Sequence, residues 1–126
     1  MDQGQSTVEL ALVLPLVVLF VLLVLQVGLV VREHLLVTHA AREAARAASV
    51  ATGDRAAAAR RGAERSGPLA ADRLSAELEL LDDGHSVRVA VRYRSITDLP
   101  FVGALLPDRI LDAVAVMRVE SPEHGP

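Results

Sequence analysis

The longest apolar stretch of the chain runs from Leu10 to Val31, and its 22 residues include no charged side chain. Only Pro15, Gln26 and Gly28 are not strongly apolar. An α-helix of this length spans roughly 33 Å, which is about the thickness of the hydrocarbon layer of a bilayer. A buried helix of a soluble protein is rarely apolar on every face for so long. The pattern therefore predicts a membrane-spanning helix.

A cleavable secretory signal does not fit this stretch. The nine residues before Leu10 contain no lysine or arginine, whereas a signal peptide begins with a positively charged region. The apolar run is also longer than the roughly 7 to 15 residues of a signal peptide. We therefore expect the span to remain in the mature protein.

The helical pattern continues beyond the span, because no glycine or proline occurs between residues 29 and 51. Small residues recur here at helical spacing, and a stripe of this kind lets a second helix approach closely. The stripe consists of Ala40, Ala44, Ala47, Ala48 and Ala51. The alternative is a solvated stalk that the high helix propensity of alanine holds together.

A break follows at Thr52-Gly53-Asp54, where glycine ends one helix and aspartate caps the next. The segment DRAAAARRGAER then predicts a short second helix or a kinked extension of the first. Ser66-Gly67-Pro68 ends that helix.

The C-terminal half carries a β pattern, and its clearest part is a hairpin that turns at Asp83-Gly84. If Asp82 faces His85, apolar residues meet apolar residues and an acid meets a base. The opposed residues are then Leu80 and Val87, Leu78 and Val89, Ala76 and Val91, and Glu79 and Arg88 on the other face. A slip of one residue would destroy both matches, so the register is well defined.

A third strand is predicted between Ile110 and Glu120, with alternate residues on one apolar face. That face comprises Leu111, Ala113, Ala115, Met117 and Val119. The apolar connection 97–108 either covers the sheet as a lid or offers an exposed patch to a partner. The expected fold is thus an α+β membrane protein with a small three-stranded antiparallel sheet. Its expected parts are a leader at 1–4, a transmembrane helix at 5–31, a helical stalk at 32–66 with a break near 52–54, and a β-rich head at 67–126.

Composition excludes several functional classes. The chain has no cysteine, so it forms neither a disulfide nor a thiolate metal site. Its four histidines are not spaced as zinc ligands, and no nucleophile, phosphate-loop or dinucleotide motif occurs. Three aromatic residues are too few for a base-stacking surface. We expect no enzyme activity, no cofactor, no metal, no small-molecule substrate and no nucleic acid.

The charge of the chain is distributed unevenly. The net charge of −3 combines a basic segment at 32–66, with seven arginines and four acids, and an acidic segment at 67–126. The basic segment adjoins the membrane, where it either attracts anionic headgroups or forms a solvated helix face. Arg32, Arg42 and Arg46 follow the span, so the positive-inside rule places the head in the cytoplasm.

Glu9 stands at the edge of the span, where an isolated carboxylate is costly. A local explanation is a capping box, in which Ser6 and Glu9 satisfy free amides at the start of the helix. A second explanation is that Glu9 lies at the interface, in contact with water and headgroups, and has no functional role. A third explanation uses the whole arrangement of Gly4, Gln5 and Glu9 before the unbroken apolar helix.

This arrangement resembles the processing motif of type IV prepilins. Together, GQSTVELALVLP, THAAREAARAAS and AVAVMRVE resemble the TadE-like minor pilins and pseudopilins of Tad (Flp-type) pilus systems. The resemblance implies that a membrane prepilin peptidase cuts between Gly4 and Gln5 on the cytoplasmic side. It also implies that Glu9 pairs with the N-terminal amine of a neighbouring subunit during assembly.

The resulting expectation is a minor pilin or pseudopilin with a cytoplasmic N-terminus and a head outside the membrane. This orientation conflicts with the arginine count. The expected partners are the membrane, the prepilin peptidase, other Tad pilins and the platform proteins of the pilus. Two alternatives stay open: a signal-anchored envelope protein whose head binds a ligand or protein, and a membrane regulator that faces the cytoplasm.

Overall fold

The computed structural model describes residues 2–96 and 108–120, and it has the predicted α+β architecture. Two helices are followed by three strands. Their bounds are α1 Asp2–Val50, α2 Arg55–Arg65, β1 Leu74–Leu81, β2 Ser86–Ser95 and β3 Arg109–Arg118. Short 3-10 turns at Ala71–Arg73 and Asp82–Gly84 precede and follow β1. Apart from Asp108, the predicted apolar connection 97–108 lies outside the described residues.

Helix α1 is continuous over 49 residues and runs through Pro15. It begins at Asp2, so Ser6 lies inside the helix and not at its N-cap. The capping box between Ser6 and Glu9, one of the three explanations for Glu9, therefore does not form in the uncut chain, because an N-cap residue must precede the first helical turn. The most apolar 18-residue stretch of α1 is not buried by the rest of the chain, as a membrane span requires.

The three strands form one antiparallel sheet in the order β1-β2-β3, and the predicted register of the hairpin is confirmed. Leu78 lies opposite Val89, and Glu79 lies opposite Arg88. The turn is wider than the two residues predicted, because the strands stop at Leu81 and Ser86. The amide of His85 donates a hydrogen bond to the carbonyl oxygen of Asp82, at 3.1 Å, and this bond closes the turn.

The turn needs backbone conformations that few residues adopt. Asp82, Asp83 and Gly84 all have positive φ, at 52°, 54° and 89°. Aspartate tolerates the left-handed region better than most side chains, and glycine adopts it freely. The sequence Asp-Asp-Gly therefore supplies a suitable residue at each strained position.

The core lies between one face of the sheet and the two helices. Val87, Val89 and Val91 of β2 are fully buried, as are Ala40 and Ala44 of α1. The predicted inward face of β3 is half-buried and packs against the same cluster. Because alanine is small, α1 can lie close to the sheet, and the valines supply most of the apolar volume.

Helix α2 folds back along α1. Asp54 caps it as predicted, accepting a hydrogen bond at Oδ1 from the amide of Ala57, at 3.1 Å. A Cβ atom added to Gly62 would lie 2.9 Å from Cβ of Ala47, and one added to Gly67 would lie 3.7 Å from a methyl of Leu36. As the chain advances from Gly62 to Gly67, it thus meets earlier residues of α1, so the two helices are antiparallel.

Candidate processing and assembly site

The first two turns of α1 hold the residues expected to be processed. Gly4 and Gln5 are both exposed and helical. A Cβ atom added to Gly4 would meet no heavy atom within 4 Å. The fold of the isolated chain therefore does not require glycine at position 4. A requirement for glycine there would have to come from another molecule, such as a peptidase whose cleft admits only a small residue.

Glu9 is exposed, and within residues 2–96 and 108–120 it forms no ion pair. Gln5 and Glu9 are four residues apart in a helix, so they share one face with Cβ atoms roughly 6 Å apart. An amine created at Gln5 would lie one turn from the Glu9 carboxylate of its own chain. The same carboxylate is open to the amine of a neighbouring chain.

The alanine stripe lies inside the chain over most of its length. Ala40, Ala44 and Ala48 have no exposed surface, whereas Ala47 and Ala51 are half-buried. The helix that approaches this region in the structure is α2, whose Gly62 faces Ala44 and Ala47. Contact of the stripe with a helix of another subunit stays a prediction.

Two contacts that position the head were not anticipated from the sequence. Helix α1 approaches Gly62 so closely that a Cβ atom added to Gly62 would lie 2.8 Å from the carbonyl oxygen of Glu43. Ser95, at the end of β2, donates its hydroxyl hydrogen to Oε2 of Glu33. A glycine inside an otherwise helical segment was an available signal for the first contact. The second joins residues 62 positions apart, and no local pattern indicates it.

Gln26 is an unusual polar residue within the apolar span. Its side chain is 7% exposed, and its Oε1 atom has no hydrogen-bond partner in the structure as described. An unpaired buried amide oxygen costs roughly 1–3 kcal/mol. Sequence analysis identified Gln26 only as an interruption of the apolar run.

The rest of the described surface has few groups that could bind a metal ion or act in catalysis. In residues 2–96 and 108–120, no group of three or more histidine, aspartate and glutamate side chains could hold a metal ion. The surface depression between α1 and α2 is open and lined by charged residues, among them His39, Glu43 and Arg65. The hydroxyl among its lining residues, that of Ser66, donates to the carbonyl oxygen of Ala63 at 2.7 Å and not to a base. The N-terminal turns of α1 are therefore the candidate functional site.

The fold defines a class: a single-pass membrane protein in which one long helix carries a small α+β head. A comparison of sequences finds a family resemblance in the N-terminal part of the chain. Residues 4–46 match the family model described as TadE, TadE-like protein, so the resemblance noted in the sequence is confirmed over this segment. The match includes Gly4, Gln5 and Glu9 and leaves residues 47–126 uncovered.

The family match ends at Arg46, before α2 and the sheet. No curated protein and no solved structure matches the chain. The head is therefore understood from its own geometry alone.

Proposed function

We propose that this protein is a TadE-like minor pilin or pseudopilin that acts in the assembly of a Tad-type pilus or a related secretion apparatus. The observation that supports this most directly is the spacing of Gly4, Gln5 and Glu9 within the TadE-like segment. All three residues are exposed on the first turns of an apolar helix. The protein acts structurally and not as an enzyme.

Maturation consists of one cut, between Gly4 and Gln5, by a prepilin peptidase. The exposure of both residues supports this step, because a protease needs access to the backbone that it cleaves. The cut removes residues 1–4 and leaves Gln5 with a charged α-amine. Glu9 then becomes the fifth residue of the mature chain.

Assembly uses the carboxylate of Glu9. A carboxylate that enters hydrocarbon without a partner costs a few kcal/mol, and a cationic partner removes much of this cost. The α-amine of a neighbouring subunit is such a partner, and it sets the axial register between two α1 helices. The chain's own amine, one turn away, competes for Glu9 until a neighbour arrives.

The head faces the outside of the cell membrane, with the N-terminus in the cytoplasm. The partners are then the peptidase and the platform proteins in the membrane, and other Tad pilins through α1. The arginines that follow the span oppose this orientation under the positive-inside rule. A reporter fused after Pro126 decides between the orientations: periplasmic reporter activity supports the proposal, and cytoplasmic activity contradicts it.

Assembly is tested with Glu9→Gln, which removes the charge but keeps the shape of the side chain. The variant should be processed and remain in the membrane, whereas its amount in sheared pili or in cross-links to other pilins should fall about tenfold or more. Glu77→Gln, an exposed acid on β1, is the matched control and should assemble normally. Equal assembly of both variants would contradict the role of Glu9.

A further inference from the structure

The head lies very near the surface of the bilayer. Glu33, which accepts the hydrogen bond from Ser95, is only two residues beyond Val31, the last residue of the apolar span. Two residues advance roughly 3 Å along an α-helix. The headgroup layer on each side of the hydrocarbon is roughly 5–7 Å thick. The end of β2 is therefore held at the level of the headgroups.

The register of the sheet brings further residues to the same level. Ser95 lies opposite Arg109, the first residue of β3, and Arg94 lies beside it. Arg73 immediately precedes β1, which begins opposite Tyr93. Together with Arg32 of α1, these side chains form what we call the membrane-proximal rim: Arg32, Arg73, Arg94 and Arg109.

The opposite end of the sheet lies far from the membrane. There the amide of Glu120 donates to the carbonyl oxygen of Ser49, at 3.2 Å. Ser49 is 16 residues beyond Glu33, which corresponds to roughly 24 Å along α1. The acidic turn Asp82–Gly84 is also at this distal end, since it follows β1. The head thus has its rim of arginines towards the bilayer and its acidic turn away from it.

Acidic side chains also lie beside the rim, and two of them already have hydrogen-bond or ion-pair partners within the chain. Glu33 accepts the bond from Ser95, and Asp108 forms an ion pair with Arg94 at 2.9 Å. Among the described residues a third acid at this end of the head is Asp72, which precedes Arg73. In the part of the chain that the structure describes, no ion pair involves Arg32, Arg73 or Arg109. Guanidinium groups bind phosphate through two parallel hydrogen bonds.

We propose that the membrane-proximal rim binds the phosphates of anionic phospholipids and holds the head against the bilayer surface while α1 spans the membrane. The partner is a lipid surface because the span itself keeps these arginines at headgroup level. The proposal does not depend on the role of the protein in a pilus or on which leaflet the head faces. Arg32, Arg73 and Arg109 contribute most, since Arg94 is shared with Asp108.

The test uses the full chain in nanodiscs of phosphatidylcholine with or without phosphatidylglycerol. The absence of native cysteine allows a fluorescent label at Ile96→Cys, beside the rim, and at Leu80→Cys, an exposed position at the distal end of β1. In the mixed nanodiscs a quencher is attached, at the same mole fraction, either to phosphatidylglycerol or to phosphatidylcholine, and it reports which lipid lies beside each label. We expect position 96 to be quenched several-fold more by the phosphatidylglycerol probe and this preference to fall in high salt, whereas position 80 should show no preference.

Paired variants distinguish lipid binding by the rim from a general effect of the positive charge of the head. Arg73→Gln with Arg109→Gln should weaken the lipid-dependent docking of the head by roughly tenfold or more. Arg88→Gln with Arg118→Gln removes the same charge from exposed positions elsewhere on the sheet and should leave docking unchanged. Equal quenching of position 96 by both probes, or equal losses in both paired variants, would overturn the proposal.

Discussion

Ser95, the last residue of β2, is hydrogen-bonded to Glu33 of α1, two residues beyond the apolar span. The bond ties the end of the sheet to the point where the helix leaves the membrane. It therefore fixes the direction of the head relative to the span. The other end of the sheet is attached by the bond from Glu120 to Ser49.

Replacing Ser95 with alanine should lower the free energy of unfolding of the head by about 1.5–3 kcal/mol, the typical net contribution of a hydrogen bond to a charged group. Chemical unfolding in detergent, followed by circular dichroism, measures the change. Ser75→Ala is the control, because Ser75 is exposed on β1. A loss no larger than that of the control would show that the bond contributes nothing.

Gly62 should be essential for the packing of α2 on α1. Gly62→Leu places a side chain where even a Cβ atom would be within 3 Å of two atoms of α1, so it should cost about 3 kcal/mol. Thermal unfolding of the protein in nanodiscs measures this cost. Gly53→Leu is the matched control, since open space surrounds Gly53. A variant at position 62 as stable as this control would contradict the close approach.

Gln26 should be replaceable by an apolar residue. Gln26→Leu removes a buried oxygen that has no hydrogen-bond partner among the described residues, and we expect the thermal stability of the membrane-embedded protein to rise by about 1 kcal/mol. The comparison variant is Leu25→Ala, an exposed position of the same helix. A clear loss of stability in Gln26→Leu would show that the amide makes a needed contact.

The β hairpin was predictable because period-two patterns on two adjacent strands must agree with each other. Both faces of the pair fix the same register, as Leu78 with Val89 and Glu79 with Arg88 show. Such local matching needs no knowledge of the rest of the fold. The cap at Asp54 was predictable for the same reason, since it depends only on neighbouring residues.

The upstream extent of α1 and the fold-back of α2 onto it were not predicted from the sequence. Ser6 and Glu9 have the spacing of a capping box, but helix formation extends upstream to Asp2 and removes the free amides that Ser6 would cap. The fold-back of α2 depends on the close approach at Gly62, which joins segments distant in sequence. Of the candidate site, the spacing of Gly4, Gln5 and Glu9 was visible in the sequence, whereas the bond from Ser95 to Glu33 was not.

The most direct test of the account is the mass of the intact mature protein, purified from cells with and without the prepilin peptidase. We predict that the chain begins at Gln5 when the peptidase is present and retains residues 1–4 when it is absent. Gly4→Leu should also block the cut without altering the head, whereas Gly28→Leu, also in open space on α1, should be processed normally. A wild-type protein that still begins at Met1 or Asp2 in the presence of the peptidase would contradict the central claim.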